Sequence, residues 1–595
     1  MMNLSMRCTR TVLAVCGALL LSACATAKPV AFFPGLESPG RDAALYGQFL
    51  AGQAAAASGQ NDTAARYFSQ ALALDPENAS LAERAFIAAL LAGDIPQATQ
   101  LAKKLPSGEA PLRGLAVLTQ VVEALASGSG QEGGRAALRL LSSAEVTGPY
   151  RNSTLLLTPL AAGAAGDWDT ALALPSDEGN PALTVYAQSN QALLLERAGR
   201  KAEAESVYQA LIGGGQAAPF LTLAYGAFLE RQGQAKAARA LYSVMLQGDP
   251  QNPTAKEGLN RLDRKLAAPP LASIRQTAAS VMLSAAVATV NQRQIQGGLI
   301  LVQLALTLDP KRDETIVMAG ELMAMNKDPS GAQAMLARIS PRSPQFVQAR
   351  ARMIWGMNQA GDKDGAIALA RDTVSKTPGD LDAMVTLADI LRINSRFEES
   401  ISVVDQVIAK KQEPYWGDYF SRGMSRERSG QWAEGEQDLK KALELNPNDP
   451  DIQNYLGYSW IERGVNLSQG IDLVRRAVEA RPDSGAITDS LGWGYYRLGD
   501  YKRAVELLEK AAQLDASDPE LNDHLGDAYW RTGRKIEAEF QWKRVLTLSP
   551  SDKLKAAVET KLKSGLPPAE PAPPVTLAPP TPAKPPVLPK GGIST

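Results

Sequence analysis

Residues 454–464 read NYLGYSWIERG, residues 489–511 read DSLGWGYYRLGDYKRAVELLEKA, and residues 522–550 read NDHLGDAYWRTGRKIEAEFQWKRVLTLSP. Gly457, Gly492 and Gly526 each stand in a Leu-Gly-x-x-aromatic phrase, 35 and then 34 residues apart. Recurrence at such a period marks stacked repeats, each of which buries its apolar face only against its neighbours. Within the middle phrase Leu491, Gly492 and Tyr495 share one helical face. Gly499-Asp500 then breaks the helix, and Ala504, Leu508 and Ala511 recur at the steps of a second helix. The small residues Gly492, Ala504 and Ala511 let the two antiparallel helices approach closely, while Tyr495 and Leu508 fill the gap between repeats.

The phrases and their period resemble the tetratricopeptide repeat (TPR), a unit of two helices, so an all-α TPR solenoid is expected. The pattern runs back through most of the chain. Gly52, Gly59, Ala64, Phe68, Ala71 and Pro76 keep the offsets of the Gly492 unit, and Gly226, Gly233, Ala238, Tyr242 and Pro250 keep them again. From 112 to 184 the pattern decays: glycines crowd residues 128–134 and Pro159 occupies a helical position, yet two units still fit. About fourteen units match in all. Between Gly226 and Ala286 the chain runs one period plus 26 residues. An inserted helix and a proline linker at 253–278 are therefore expected to divide an N-terminal array, 42–252, from a C-terminal array, 279–552. The apolar run from Val281 to Val290 stops at Asn291-Gln292-Arg293-Gln294, too short to span a bilayer, and reads as a buried helix.

The two ends differ in kind from the middle. Arg7 and Arg10 precede a short apolar run closed by Leu21-Ser22-Ala23-Cys24, the pattern of a secretory signal peptide over 1–23. Those last four residues resemble the bacterial lipobox, which implies that Cys24 carries lipid. Of the three cysteines, Cys8 and Cys16 fall in the signal, so an internal disulfide is not expected. Ala25, standing where Asp would retain such a protein at the inner membrane, resembles the outer-membrane class. Residues 24–41 read as a linker, with prolines and no helical period. At the other end a Lys-rich segment, 553–563, reads as a capping helix. Residues 564–595, with eleven prolines from Gly565 onward, read as a disordered tail.

Catalytic chemistry has little to stand on. The chain has one histidine, His524, which excludes a metal site of the two-His kind and reads as an ordinary helix-face residue. No Gly-Lys dipeptide, G-x-S-x-G elbow or S-x-x-K pair occurs, so neither a phosphate-cradling loop nor a serine nucleophile is indicated. Lys and Arg (62) balance Asp and Glu (63) without a basic block, which argues against nucleic acid. No enzyme activity, metal, cofactor or small-molecule substrate is expected.

In the TPR family the first helix of each unit lines a concave groove that grips partners. Carried onto the last four units, those positions hold Phe420 and Met424; Asn454 and Tyr458; Asp489, Trp493, Tyr496 and Arg497; and Asp523, Asp527, Trp530 and Arg531. The carboxylate clamp of some TPR domains needs Lys and Asn where these stand, so a chaperone clamp is not implied. Lipobox, array and phrases together are similar to long outer-membrane TPR lipoproteins of proteobacteria. Some of these bind a periplasmic carboxyl-terminal-processing protease and its cell-wall hydrolase substrates. The resemblance implies a scaffold or adaptor on the periplasmic face of the outer membrane. The alternative is a structural component of an envelope assembly or of a polysaccharide or protein export complex.

Overall fold

The computed structural model describes residues 40–105, 110–143, 146–175, 181–213, 219–249, 252–413 and 415–569. Among them it is all helix, in two compact units, Met1–Gln345 and Phe346–Thr595. The first unit holds α1 (Arg41–Ala57), α2 (Asn61–Leu74), α3 (Ala79–Ala92), α4 (Ile95–Ala102), α5 (Ala110–Ser127), α6 (Gln131–Ser143), α7 (Arg151–Ala165), α8 (Trp168–Leu172), α9 (Pro181–Arg197), α10 (Lys201–Gly213), α11 (Pro219–Arg231), α12 (Ala235–Gly248), α13 (Pro253–Asp263), α14 (Ile274–Asn291), α15 (Ile295–Leu308), α16 (Asp313–Met325) and α17 (Pro329–Leu336). The second holds α18 (Phe346–Gln359), α19 (Lys363–Lys376), α20 (Leu381–Ile393), α21 (Phe397–Lys410), α22 (Trp416–Arg428), α23 (Trp432–Leu445), α24 (Pro450–Arg463), α25 (Leu467–Ala480), α26 (Gly485–Arg497), α27 (Tyr501–Leu514), α28 (Pro519–Arg531), α29 (Lys535–Val545) and α30 (Asp552–Ser564). These make fourteen antiparallel pairs and two single helices, α13 and α30.

One contact recurs through both units. A glycine on the first helix of a pair lies against a bulky side chain of the second, sixteen residues on. The pairs are Gly52 with Phe68, Gly226 with Tyr242, Gly320 with Leu336, Gly423 with Leu439, Gly492 with Leu508 and Gly526 with Trp542. A methyl group at Gly526 would sit 2.5 Å from the Trp542 indole nitrogen, inside van der Waals contact. The glycine therefore sets how near the two helix axes come. Between the helices the chain turns through residues such as Gly499, whose φ of +79° is readily adopted only by glycine. Side chains such as Asp449, Ser484 and Asp518 then cap the next first helix by accepting its exposed N–H groups. The region where the pattern decays is also closely packed, but through glycines of a second helix set against backbone. A methyl group at Gly134 would meet the backbone nitrogen of Ala165 at 2.4 Å, and one at Gly133 the carbonyl oxygen of Ala124 at 2.5 Å. The crowded glycines are thus where α6 meets α5 and α7, and Pro159 lies buried inside α7.

The first unit closes on itself. Helix α14 packs on α7, and α15 packs on α3, α4 and α5 as well as on its partner α14. Gln303, 5% exposed, donates to the carbonyl of Leu91 at 3.5 Å, bridging residues 212 apart in sequence. Every residue of α15 from Gly298 to Leu306 is buried, because this helix has neighbours on all sides. The 253–278 segment, expected to divide two arrays, lies inside this unit, and the division between units falls after Gln345. Helix α13 ends at Asp263, and the chain beyond it is held by Arg197 on the carbonyl of Ala272 and by Arg231 on that of Pro269. The extra residues return the chain so that α14 and α15 can dock on earlier helices. Helix α14 carries the Val281–Val290 run and is buried at Val281, Met282 and Ala286. Among the described residues no helix is long and apolar enough to cross a membrane.

At the far end of the second unit α30 is a cap with one apolar face. Val558 is fully buried, and Leu554, Leu562 and Leu566 pack with it on the cluster around Trp542. The first residues after it do not fit the expectation of a free tail from 564: Gly565 lies against the Trp530 ring, and the carbonyl of Pro567 accepts from Arg531 at 2.6 Å. The rest of the tail, the signal peptide and Cys24 lie outside the described residues.

Candidate binding groove

Helices α22, α24, α26 and α28 are the first helices of the last four pairs, and α24, α26 and α28 also touch one another directly. The twelve positions implied by the resemblance fall on them in three neighbourhoods. Phe420 stands edge-on to Tyr455, with ring centroids 5.8 Å apart, and near Trp416 at 6.5 Å. Met424, Asn454 and Tyr458 are half-buried. The side-chain oxygen of Asn454 has no hydrogen-bond partner among the described residues. Burial pushes the Tyr458 phenol well above its ordinary range, reinforced by the nearby Glu462 and Asp489 carboxylates.

The second neighbourhood is a clasp between repeats. Trp493 is stacked between Tyr496, at 4.5 Å, and His524 of the next repeat, at 4.1 Å, and donates its indole N–H to Glu462 at 2.8 Å. Asp489, 8% exposed, meets His524 Nδ1 at 3.0 Å. Burial opposes a charge on this imidazole, yet Asp489, aided by Asp523 and Asp527, raises its pKa to about 9. His524 is therefore a cation through the neutral range, fixed on the Trp493 face. Arg497 donates to the main-chain carbonyl of Glu462 at 2.8 Å, and Arg531 donates to the Tyr496 hydroxyl at 3.2 Å, which burial has pushed up to about 12.

The third neighbourhood is covered by the chain's own end. Lys561 of α30 places its ammonium 2.8 Å from Asp523 and 2.7 Å from Asp527. Trp542 donates to the same Asp527 at 3.0 Å. Burial and the neighbouring Asp523 push Asp527 up to about 6, with Lys561 pulling the other way. Trp530 lies under Gly565 and against Trp542, with Lys535 5.0 Å from its ring centroid, and Arg531 is engaged by Pro567. Of the expected positions, Phe420, Met424, Asn454 and Tyr458 lie on α22 and α24, which meet where Phe420 stands against Tyr455, the Asp489–Arg497 set joins two repeats, and the last four sit beneath the cap.

Three residues central to this geometry carry no motif: Glu462, His524 and Lys561. Their signal is the period itself. Arg463, Arg497 and Arg531 recur at 34 residues, and each donates to a group 35 or 36 residues earlier, on Glu427, Glu462 and Tyr496. Among the described residues no cluster of His, Cys, Asp or Glu is placed to hold a metal ion.

Models of the tetratricopeptide repeat match residues 49–111, 189–253 and 420–485, and a TPR-repeat model matches 494–533. Four stretches of the chain thus match tetratricopeptide-repeat models. A TPR repeat-containing protein of Pseudomonas aeruginosa is 27% identical over 209 residues, which is 35% of this chain and 35% of that relative. Subunit 3 of the anaphase-promoting complex of Schizosaccharomyces pombe is 21% identical over 147 residues, 25% of this chain and 22% of the relative. The match thus spans about a third or less of each curated relative. Among solved structures, the Cut9–Hcn1 hetero-tetramer of APC/C covers 88% of this chain and 96% of its own at 16% identity and a TM-score of 0.36. A tetratricopeptide repeat protein from Parabacteroides merdae covers 48% and 97% at 13% identity and a TM-score of 0.33.

Proposed function

We propose that this chain is a scaffold held by lipid on Cys24 at the outer membrane, facing the periplasm, and that it brings a processing protease together with cell-wall hydrolases. Tetratricopeptide repeats are in general protein-interaction modules, so protein binding without catalysis is the coarse reading. The finer reading is supported by the lipobox-like Leu21-Ser22-Ala23-Cys24 and by the phrases in 450–552. The observation that carries it is the row Phe420, Met424, Asn454 and Tyr458. These half-buried aromatic, thioether and amide groups stand on α22 and α24, which ion pairs such as Arg422–Asp438 and Arg463–Glu427 fix, and the Asn454 oxygen has no hydrogen-bond partner among the described residues. Rigid aromatic anchors of this kind bind without a large ordering cost. Two partners on one scaffold meet at raised effective concentration with no new chemistry.

The test crosslinks the full-length chain in envelope preparations and identifies what is captured. A protease or wall hydrolase is expected with the native sequence and is lost with Phe420→Ala/Tyr458→Ala. Cys24→Ser is expected to release the chain from the membrane fraction. Capture of neither enzyme class refutes the adaptor role. A single stable complex on native gels would assign the chain to an envelope assembly instead.

A further inference from the structure

Where the first unit closes, α7, α9, α14 and the start of α15 wall a cavity of about 570 Å³, roofed by the turn Gly148–Tyr150. Seventeen residues line it, and none is charged, although 21% of the chain is. A neighbouring groove of about 740 Å³, which shares Tyr150, carries Glu83 and Arg84 in its lining. The absence of charge thus belongs to this cavity and not to the unit as a whole. Its polar groups are hydroxyls and primary amides: Thr289, whose hydroxyl donates to the Ala285 carbonyl, Asn152, and the six side chains of Tyr150, Ser153, Tyr186, Ser284, Gln292 and Gln294. None of these six side chains makes a hydrogen bond to another described residue. Ser153 is nevertheless buried at 4% exposure, and burial alone raises the Tyr150 phenol above its ordinary range. The Tyr186 ring is held in place by stacking on Phe220, at 5.1 Å and 6°.

We propose that this cavity binds a neutral saccharide. A phosphate, carboxylate or amine would find no countercharge here, and taking an ion out of water without one is strongly unfavourable. An apolar ligand would strand the hydroxyls of Tyr150, Ser153, Tyr186 and Ser284. A sugar supplies hydroxyls that donate and accept at every face, which is what a set of hydroxyls and amides requires. Its C–H face can lie on the tyrosine rings. The volume falls within that of ordinary small-molecule sites, roughly 300–1,000 Å³. A compact ring ligand suits a cavity walled by four helices, whereas an extended uncharged peptide needs an open run along a helix face.

The proposal is tested by calorimetric titration of the full-length chain with N,N′-diacetylchitobiose and with maltose, beside N-acetylneuraminic acid and an uncharged tripeptide amide. Saturable binding of one neutral disaccharide is expected, with at least tenfold weaker binding of the acidic sugar. Tyr150→Phe, Tyr186→Phe and Ser284→Ala remove only hydroxyls, and each should weaken binding roughly tenfold by leaving a sugar hydroxyl unpaired. Unchanged circular dichroism and melting temperature show that these variants remain folded. No saturable binding of either neutral disaccharide up to about 10 mM overturns the proposal. Affinity indifferent to all three substitutions, or preference for the peptide or the acidic sugar, also overturns it.

Discussion

Replacing Lys561 with Met keeps the length and the apolar stem of the side chain and deletes only its ammonium. That ammonium lies within 2.8 Å of two carboxylates, Asp523 and Asp527, whose side chains are 10% and 8% exposed. Removing one partner of a buried ion pair costs about 3–5 kcal/mol, because the charge left behind has lost both water and its counter-ion. The cost depends on pH in a stated direction. Asp527 titrates near 6, above its ordinary value of 3.8, so the stability that its proton confers is fully present below about pH 4 and is lost as pH rises through 6. Without Lys561 the larger of the two lowering influences on Asp527 is gone, leaving that of His524, and the proton is held to higher pH. At low pH Asp527 is protonated and needs no counter-ion; as pH rises its carboxylate forms beside Asp523 without the ammonium that should balance it. Hydrogen exchange of peptides from 519–564, corrected for the intrinsic rate at each pH, measures the local opening free energy. Loss of the full amount at pH 8 and of less than half at pH 5 is expected, with α28–α30 affected and α18–α21 untouched. Equal losses at the two pH values, or no loss at pH 8, would refute the assignment of Lys561 as the counter-ion that holds the cap.

Gly526→Ala puts a methyl group 2.5 Å from the fully buried Trp542, and overpacking of that kind should cost about 1–3 kcal/mol in urea titrations followed by tryptophan fluorescence. His524 is the chain's one histidine, so its ring resonances can be assigned without ambiguity. They should titrate near pH 9, and Asp489→Asn should bring the midpoint down to or below the ordinary 6.5. The stability that His524 lends is then fully present below pH 6.5 and lost as pH rises through 9, which a series of thermal melts between those values would register. Arg422→Met removes two hydrogen bonds, at 2.7 and 2.8 Å, from Asp438, which is 5% exposed. A loss of about 3 kcal/mol is expected, with Arg426, still bonded to Asp438 at 2.8 Å, limiting it.

The helical array was legible because its cause is local and repeated. Gly492, Ala504, Leu508 and Ala511 state a close helix pair in a few residues, and the same offsets at Gly52 and Phe68 or Gly226 and Tyr242 mark the same contact. Repeat number followed from the period, and fourteen pairs are present among the described residues. The division of the chain was not legible. Residues 253–278 break the period, and a break reads as a boundary, but α14 docks on α7 and α15 on α3, α4 and α5, with Gln303 reaching Leu91 across 212 residues. A contact at that separation leaves a trace only in the composition of α15, apolar all round from Gly298 to Leu306, and that trace reads equally as any buried helix.

The expected groove positions fall on the first helices of the last four pairs, but most of their side chains engage neighbouring repeats, and the reason is general to stacked helices. A residue on a first helix that points along the stack has two choices of neighbour, a ligand or the next repeat, and side-chain chemistry does not distinguish them. Trp493 would anchor a peptide; it instead packs on His524, because the residue one period beyond Asp489 is Asp523 and the histidine beside it completes an ion pair with Asp489. Asp523 itself has no further repeat above it, and Lys561 from the cap takes the place of the missing cation. The same carboxylate position thus receives a histidine inside the array and a lysine at its end. A carboxylate on the stacking face therefore implies a cation about one period on, and only where that cation is wanting does the position stay open to a partner. Phe420, Met424, Asn454 and Tyr458 carry no carboxylate, so this pairing does not claim them. There the Asn454 oxygen, alone among the twelve expected positions, is both buried and without a hydrogen-bond partner among the described residues.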